Sequence, residues 1–235
     1  MESAQLSLAE EAYNTLRREI LTCVLVPGTL VTRAHLAARY HAGHAAVREA
    51  LSRLAQEGLV QVLPREGYLI APITFKQVQD VLDARLLIEP MVARLAAGRL
   101  ASGQVDAERL RRLHDLCVAP ERFEDAQTLG RFIDANAAFH LAVVESTGNE
   151  RLVSIVRGLM ESMGRFMYAS YLLRERPSSM AQAPDDLVEA LIAGDQTAAE
   201  RLMREDIELA SRFVLAALMF SKAVQSVNVF DGSER

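Results

Sequence analysis

Apolar positions along the first 73 residues keep a helical period through three segments and then switch to that of a strand. From Leu8 to Thr22, Ala12, Leu16, Ile20 and Leu21 recur at the spacing of one helix face. Pro27 and Gly28 then make a turn. Leu36, Ala37 and Tyr40 mark a second helix over Arg33–Tyr40. The run His41, Ala42, Gly43 breaks it, and Gly43 is the residue expected to take the unusual angles of the turn. Helical spacing returns from His44 in Val47, Leu51 and Leu54, with Arg48, Arg53 and Gln56 off that face and Gly58 as a stop. Two short strands follow, Val60–Leu63 and Tyr68–Ala71, around a turn made of Pro64, Arg65, Glu66 and Gly67. The helical spacing alone fits a hairpin in a larger bundle as well as a helix-turn-helix. The basic, glycine-containing hairpin straight after the third helix favours a winged helix-turn-helix.

From Thr74 onward the pattern is helical throughout. Phe75–Ala101 carries Val78, Val81, Leu82, Leu86, Ile88, Met91, Val92 and Leu95, with Pro90 inside it predicting a kink. Gly103 and Gln104 separate a helix over Val105–Cys117, and Pro120 precedes another over Glu124–Ser146, which ends at Gly148 and Asn149. A helix over Glu150–Arg174 leads into the loop RPSSMAQAP. Pro184, Asp185 and Asp186 suit the first turn of the next helix, because proline fits there and acids favour the positive end of the dipole. Gly194 and Asp195 separate it from a last helix over Gln196–Ser226, and the tail DGSER is expected to fray. The expected fold class is mainly α: a winged helix-turn-helix of three helices plus a β-hairpin over 1–73, an all-α antiparallel bundle over 74–228, and a tail over 229–235.

Composition narrows the function. The 235 residues are 50% hydrophobic and 24% charged, enough for one or two domains with real cores. Cys23 and Cys117, both read in apolar helical contexts, point to a reducing compartment rather than a disulfide frame. The absence of a signal peptide or long apolar run predicts a cytoplasmic chain without membrane partners. Up to Phe75 there are seven Lys or Arg against seven Asp or Glu, leaving 19 against 24 of the totals 26 and 31 for the remainder. A neutral DNA reader depends on how its charge is distributed, since phosphate contacts set much of the affinity. Glu10, Glu11 and Glu19 are expected to lie away from DNA, leaving Arg33, Arg48 and Arg65 on one surface. No phosphate loop, CxxC pair, HExxH or nucleophile elbow occurs, so an enzyme is not expected.

The order AYNTLRREIL, PGTLV, LAARYHAG, VREALSRLAQEGLV, PREGYLIAPI resembles the GntR family of transcription regulators. DARLLIEPMVARLAA, NAAFHLAVVESTGNERL and VEALIAGDQTAAERLMREDI resemble the helical effector domain of its FCD branch, so the likeness runs from about residue 8 to 220. It implies a cytoplasmic, homodimeric, DNA-binding regulator, read as a repressor. The dimer would sit on a two-fold operator and be controlled by a small organic acid or acyl-type metabolite in the bundle. The alternative is a ligand- or partner-binding helical protein whose helix-turn-helix has lost specific DNA binding.

Against the family pattern Ser-Arg-Thr-Pro-Val-Arg-Glu-Ala-Leu, this chain reads Gly43, His44, Ala45, Ala46, Val47, Arg48, Glu49, Ala50, Leu51. The guanine-reading arginine is replaced by His44, which donates one bond where arginine donates two. A second family arginine falls at Ala34, with Arg33 one residue earlier; DNA contact is expected of Arg33, His44, Ala45, Arg48, Arg65 and Gly67, with Gly67 letting the wing backbone approach the minor groove. His44 is equally well read as a small polar turn residue; the plainer alternatives are a solvated helix residue for Arg48 and a hairpin-turn glycine for Gly67.

The branch commonly holds a divalent metal on one Asp and three His. Those positions fall here on Asn136, His140, Pro184 and Asp206. An amide and a proline in this set lead us to expect no metal cofactor, with weak binding at His140 and Asp206 as the residual alternative. The effector pocket would then be formed by Arg85, Asn136, His140 and Asp206. Arg85 would fork onto a carboxylate ligand or pair with Glu89 four residues on. His140 would hydrogen-bond Asp206 or an effector, or be a satisfied core histidine.

Overall fold

The structure, a computed structural model, describes residues 7–100, 107–117, 123–173 and 186–219. Gly103, Gln104, Val105, Pro120, the loop RPSSMAQAP, Pro184, Asp185, the end of the last helix at Ser226 and the 229–235 tail lie outside the described residues. The chain divides into two compact units, 1–73 and 74–235.

The first unit contains α1 (Leu8–Leu21), β1 (Leu30–Val31), α2 (Arg33–Arg39), α3 (His44–Gln56), β2 (Val60–Leu63) and β3 (Gly67–Ile70). Ser7 caps α1 by accepting from the Glu10 amide, and Thr32 does the same for α2 from His35. Leu16, Ile20, Leu36, Leu51, Leu54 and Ile70 meet in one core with no exposure. Each contributes about 1.5–3 kcal/mol of burial. The strands form an antiparallel sheet in the order β1-β3-β2, registering Leu30 with Leu69 and Val62 with Tyr68. Two features differ from the expectation. Gly43 has ordinary extended angles and caps α3 without a side chain, and His41 takes the left-handed turn at φ 50° instead. Cys23 lies just past α1 in a left-handed turn at φ 56°, buried but not helical.

The second unit is helical: α4 (Phe75–Leu100), α5 (Ala107–Leu116), α6 (Ala126–Glu145), α7 (Glu150–Leu173), α8 (Asp186–Ala193) and α9 (Gln196–Met219). Helix α4 is central, packed along α9 and against α6, α7 and α8. Its helical assignment continues through buried Pro90. Proline supplies no N–H to the Leu86 carbonyl one turn back, and Arg204 of α9 donates to that carbonyl at 3.5 Å. Asp125 caps α6, Asn149 caps α7 and Asp195 caps α9, each accepting from backbone amides in the first turn. Among the described residues, no helix is long and apolar enough to cross a membrane.

Candidate nucleic-acid interface and buried charge chain

On α3, Val47, Ala50, Leu51 and Leu54 face the core. At 100° per residue the opposite face presents Ala45, Arg48, Glu49, Ser52 and Gln56, all exposed. His44 at the start of α3, Arg33 at the start of α2 and Arg65 at the hairpin tip are exposed as well. Ser52 and Gln56 extend this face beyond the sequence-assigned residues, and their four-residue step from Arg48 is the signal that could have found them.

Ion pairs tie up three acids of this unit, while Glu49 beside Arg48 and Glu66 beside Arg65 stay exposed. Glu10 of α1 accepts from Arg53 at 2.6 Å, and Arg53 also lies over the Tyr13 ring at 3.6 Å. Glu19 accepts from Arg39 at 2.8 Å and from the Tyr40 hydroxyl. Glu57 accepts from Arg17 at 3.0 Å and from the Tyr13 hydroxyl. Arg18, Arg33, Arg48 and Arg65 have no ion pair among the described residues. Three acids are thereby neutralised on the supporting side, while Arg33, Arg48 and Arg65 keep their charge outward. Glu11 is exposed on α1.

Gly67 has a specific structural reason to be glycine. Its φ is 132°, and a Cβ there would lie 2.6 Å from the Val31 carbonyl oxygen of β1. The wing closes against β1 only because that atom is missing. Gly67 itself is half-buried.

In the helical unit, Arg85, His140 and Asp206 are brought together by Glu89, which the sequence marks only as an i,i+4 partner of Arg85. Arg85 donates through Nε to Glu89 Oε1 at 2.6 Å, and both side chains are almost wholly buried. The other carboxylate oxygen lies 2.6 Å from His140 Nδ1, and His140 Nε2 lies 3.3 Å from Asp206 Oδ2. Positive and negative groups therefore alternate from α4 through α6 to α9. Burial alone would raise the Glu89 pKa, but Arg85 and His140 hold it down to about 2. Burial alone would lower that of His140, yet Glu89 and Asp206 raise it to about 9, so it carries its proton at neutral pH. The spacing Arg85–Glu89 carried this signal as an i,i+4 pair. Its burial did not show, because Glu89 sits amid apolar residues only once the bundle forms.

Asn136, one turn before His140, is half-buried and takes no part in the chain. On α5, His114 is buried, packs edge-on against Phe139 at 5.5 Å, and has no hydrogen-bond partner at Nε2 among the described residues. Cys117 is buried beside it, its thiol pushed up to about 12 by burial and by Asp206. This donor set does not fit the branch's metal. Both His140 nitrogens face carboxylates, Asn136 offers only an amide, and position 184 is proline. No group of three His, Cys, Asp or Glu able to hold a metal occurs among the described residues.

Comparison with known proteins bears on both units. Residues 8–70 match the model "Bacterial regulatory proteins, gntR family", and residues 80–209 match the FCD domain. The chain is 28% identical over 205 residues to the HTH-type transcriptional repressor RspR of Escherichia coli, covering 87% of this chain and 88% of that protein. It is 30% identical over 238 residues to the HTH-type transcriptional regulator Mce2R of Mycobacterium tuberculosis, covering 91% and 94%. The solved structure of E. coli McbR/YncC shares the fold, with a TM-score of 0.67 and 21% identity over 90% of this chain and 99% of that one. With a charged, outward-facing recognition helix and wing before an all-helical unit, and matched along both, the chain belongs to the GntR family of bacterial regulatory proteins, in the branch with an FCD domain, and is a transcription regulator rather than an enzyme.

Proposed function

We propose that this regulator acts in the cytoplasm as a homodimeric repressor on a two-fold operator, and that a small-molecule effector in the helical unit sets its DNA affinity. The observation that carries the DNA part is Arg48, exposed at the centre of the outer face of α3 and without an ion pair among the described residues. Arg33 and Arg65 flank it in the chain as backbone-phosphate contacts, and His44 and Ala45 replace the family's base-reading pair. The operator is then read with fewer bidentate contacts than the family pattern provides. The repressor assignment draws on names among the relatives, such as RspR.

The effector reading rests on the FCD match and on which polar groups the bundle leaves unused. Arg85 is already forked onto Glu89, and His140 is held between two carboxylates, so neither is available to a ligand acid without displacing a protein carboxylate. Asn136 and the His114 Nε2 are the polar groups that an organic acid or acyl-type metabolite would meet.

Selection from a random DNA pool by the purified full chain should enrich a palindrome. Arg48→Ala should weaken binding to it by about 1–3 kcal/mol at moderate salt. Failure to enrich any sequence would favour the reading in which specific DNA binding is lost. Metal analysis of the purified protein should find no stoichiometric zinc or nickel. A panel of carboxylates should raise the thermal midpoint of the wild type and lose that effect in Asn136→Ala and His114→Ala.

A further inference from the structure

The outer face of α3 carries an acid where a DNA reader has most use for positive charge. Counted at 100° per residue from the buried Val47, Ala50, Leu51 and Leu54, the residues Ala45, Glu49, Ser52 and Gln56 fall within about 30° of the line opposite the core. All four are exposed, and Arg48 stands alongside them. A recognition helix meets base edges through its N-terminal turns, and Glu49 lies in the second turn of α3. It is the first long side chain on that line, since Ala45 precedes it by one turn.

This carboxylate stays free although the sequence offers it a partner. Arg53 is four residues on, the spacing of a helical ion pair. Its guanidinium instead binds Glu10 at 2.6 Å and lies over the Tyr13 ring at 3.6 Å. Ala45, Ala46 and Ser52, the other neighbours one turn away, carry no charge. Glu49 has no ion pair or hydrogen bond among the described residues. Set against phosphate, a free carboxylate only costs affinity. Set against base edges in the major groove, it can accept from an exocyclic amino group, which adenine offers at N6 and cytosine at N4. Adenine places its N7 acceptor beside that group and repels a carboxylate. Cytosine presents the donor with no acceptor of its own. We infer that Glu49 is a specificity-determining residue, its carboxylate accepting from the N4 amino group of one cytosine in each half of the operator. The inference rests on the DNA reading proposed above and supplies that reading with a base contact.

Selection from a random DNA pool tests it with three full-length chains: wild type, Glu49→Ala and Glu49→Gln. The wild-type palindrome should contain one C·G pair per half that is preferred over other pairs by at least about 5-fold, the low end for a good base contact. Glu49→Ala should keep the rest of the palindrome, lose the preference at that pair, and bind random DNA more tightly at low salt. Glu49→Gln should move the preference to adenine, because an amide pairs with N6 and N7 together. A residue that only supports the fold gives no such switch. Two variants that both select the wild-type sequence overturn the role of Glu49 and leave DNA reading standing. A wild-type preference at the affected pair for a base other than cytosine overturns the cytosine contact. A wild type that enriches no sequence overturns this inference together with the DNA reading.

Discussion

Both units join arginine to glutamate, and they do so in opposite surroundings. In the reading unit, Arg53 and Glu10, Arg39 and Glu19, and Arg17 and Glu57 meet at the surface or partly buried. Water screens them, and such pairs contribute little to stability. Their effect is on where charge points, because each neutralises an acid of α1 or the end of α3 on the supporting side. In the helical unit, Arg85 and Glu89 are 1% and 2% exposed, and His140 lies beside them. There the same ion pair is close to all or nothing, since losing one member strands a charge in a medium that cannot solvate it. The lesson is that exposed pairs, which the helical unit also has in Arg94–Glu200 and Arg201–Glu205, shape the field, while the buried Arg85–Glu89 pair locks the packing.

The largest test removes the hinge of the chain. Glu89→Ala leaves Arg85 and His140 facing one another, both buried, and should destabilise the helical unit by about 3–5 kcal/mol in urea titration. A loss below about 1 kcal/mol would mean that water reaches the chain and that the contrast between the units is false. Replacing both Arg85 and Glu89 with leucine should recover much of the loss, because an apolar pair needs no solvation.

A smaller effect comes from pH. His140 binds its proton more tightly folded, at about 9, than unfolded, at 6.5, so its stabilisation is full below 6.5 and drains away as pH rises through about 9. Glu89 runs the other way: its contribution is present above 4.5 and is lost as pH falls toward about 2. The thermal midpoint of the helical unit should therefore fall on its alkaline arm, between 6.5 and about 9. His140→Gln should lower the plateau and flatten that arm. An unchanged arm in the variant would assign the titration elsewhere.

The smallest effect belongs to the reading unit. Glu10→Gln should leave the unfolding midpoint within error while weakening the neutralisation of Arg53, so non-specific DNA binding should strengthen slightly at low salt. A clear drop in stability would show that this pair resembles the buried one more than its exposure implies.

The helices were legible in the sequence wherever one face is apolar and the other is not, because burial and periodicity are then the same signal. Strand β1 was missed: two residues, Leu30 and Val31, are too few to alternate, and they become a strand only because Tyr68 and Leu69 are there to pair with. The turn before α3 was assigned to Gly43 on propensity, yet His41 takes the left-handed angle there. Of the residues the resemblance places in a pocket, the structure joins Arg85, His140 and Asp206 through Glu89 and leaves Asn136 outside that chain. Glu89 was not weighed as the joint between them, since a carboxylate in the middle of a helix reads as solvated until α6 and α9 cover it.

The missing Cβ of Gly67 has a consequence for distance. The carbonyl of Val31 fills that space, Ile70 and Gly28 bond across the same strand pair, and the chain then runs through Thr32 directly into Arg33. The hairpin that bears Arg65 is thus stitched to the strand that starts α2, and the two arginines sit a set span apart. On the DNA reading proposed above, a head built this way would work as a caliper, gauging the interval between two stretches of phosphate while α3 meets the bases between them. Inserting a base pair inside a half-site should then be tolerated less well than changing one.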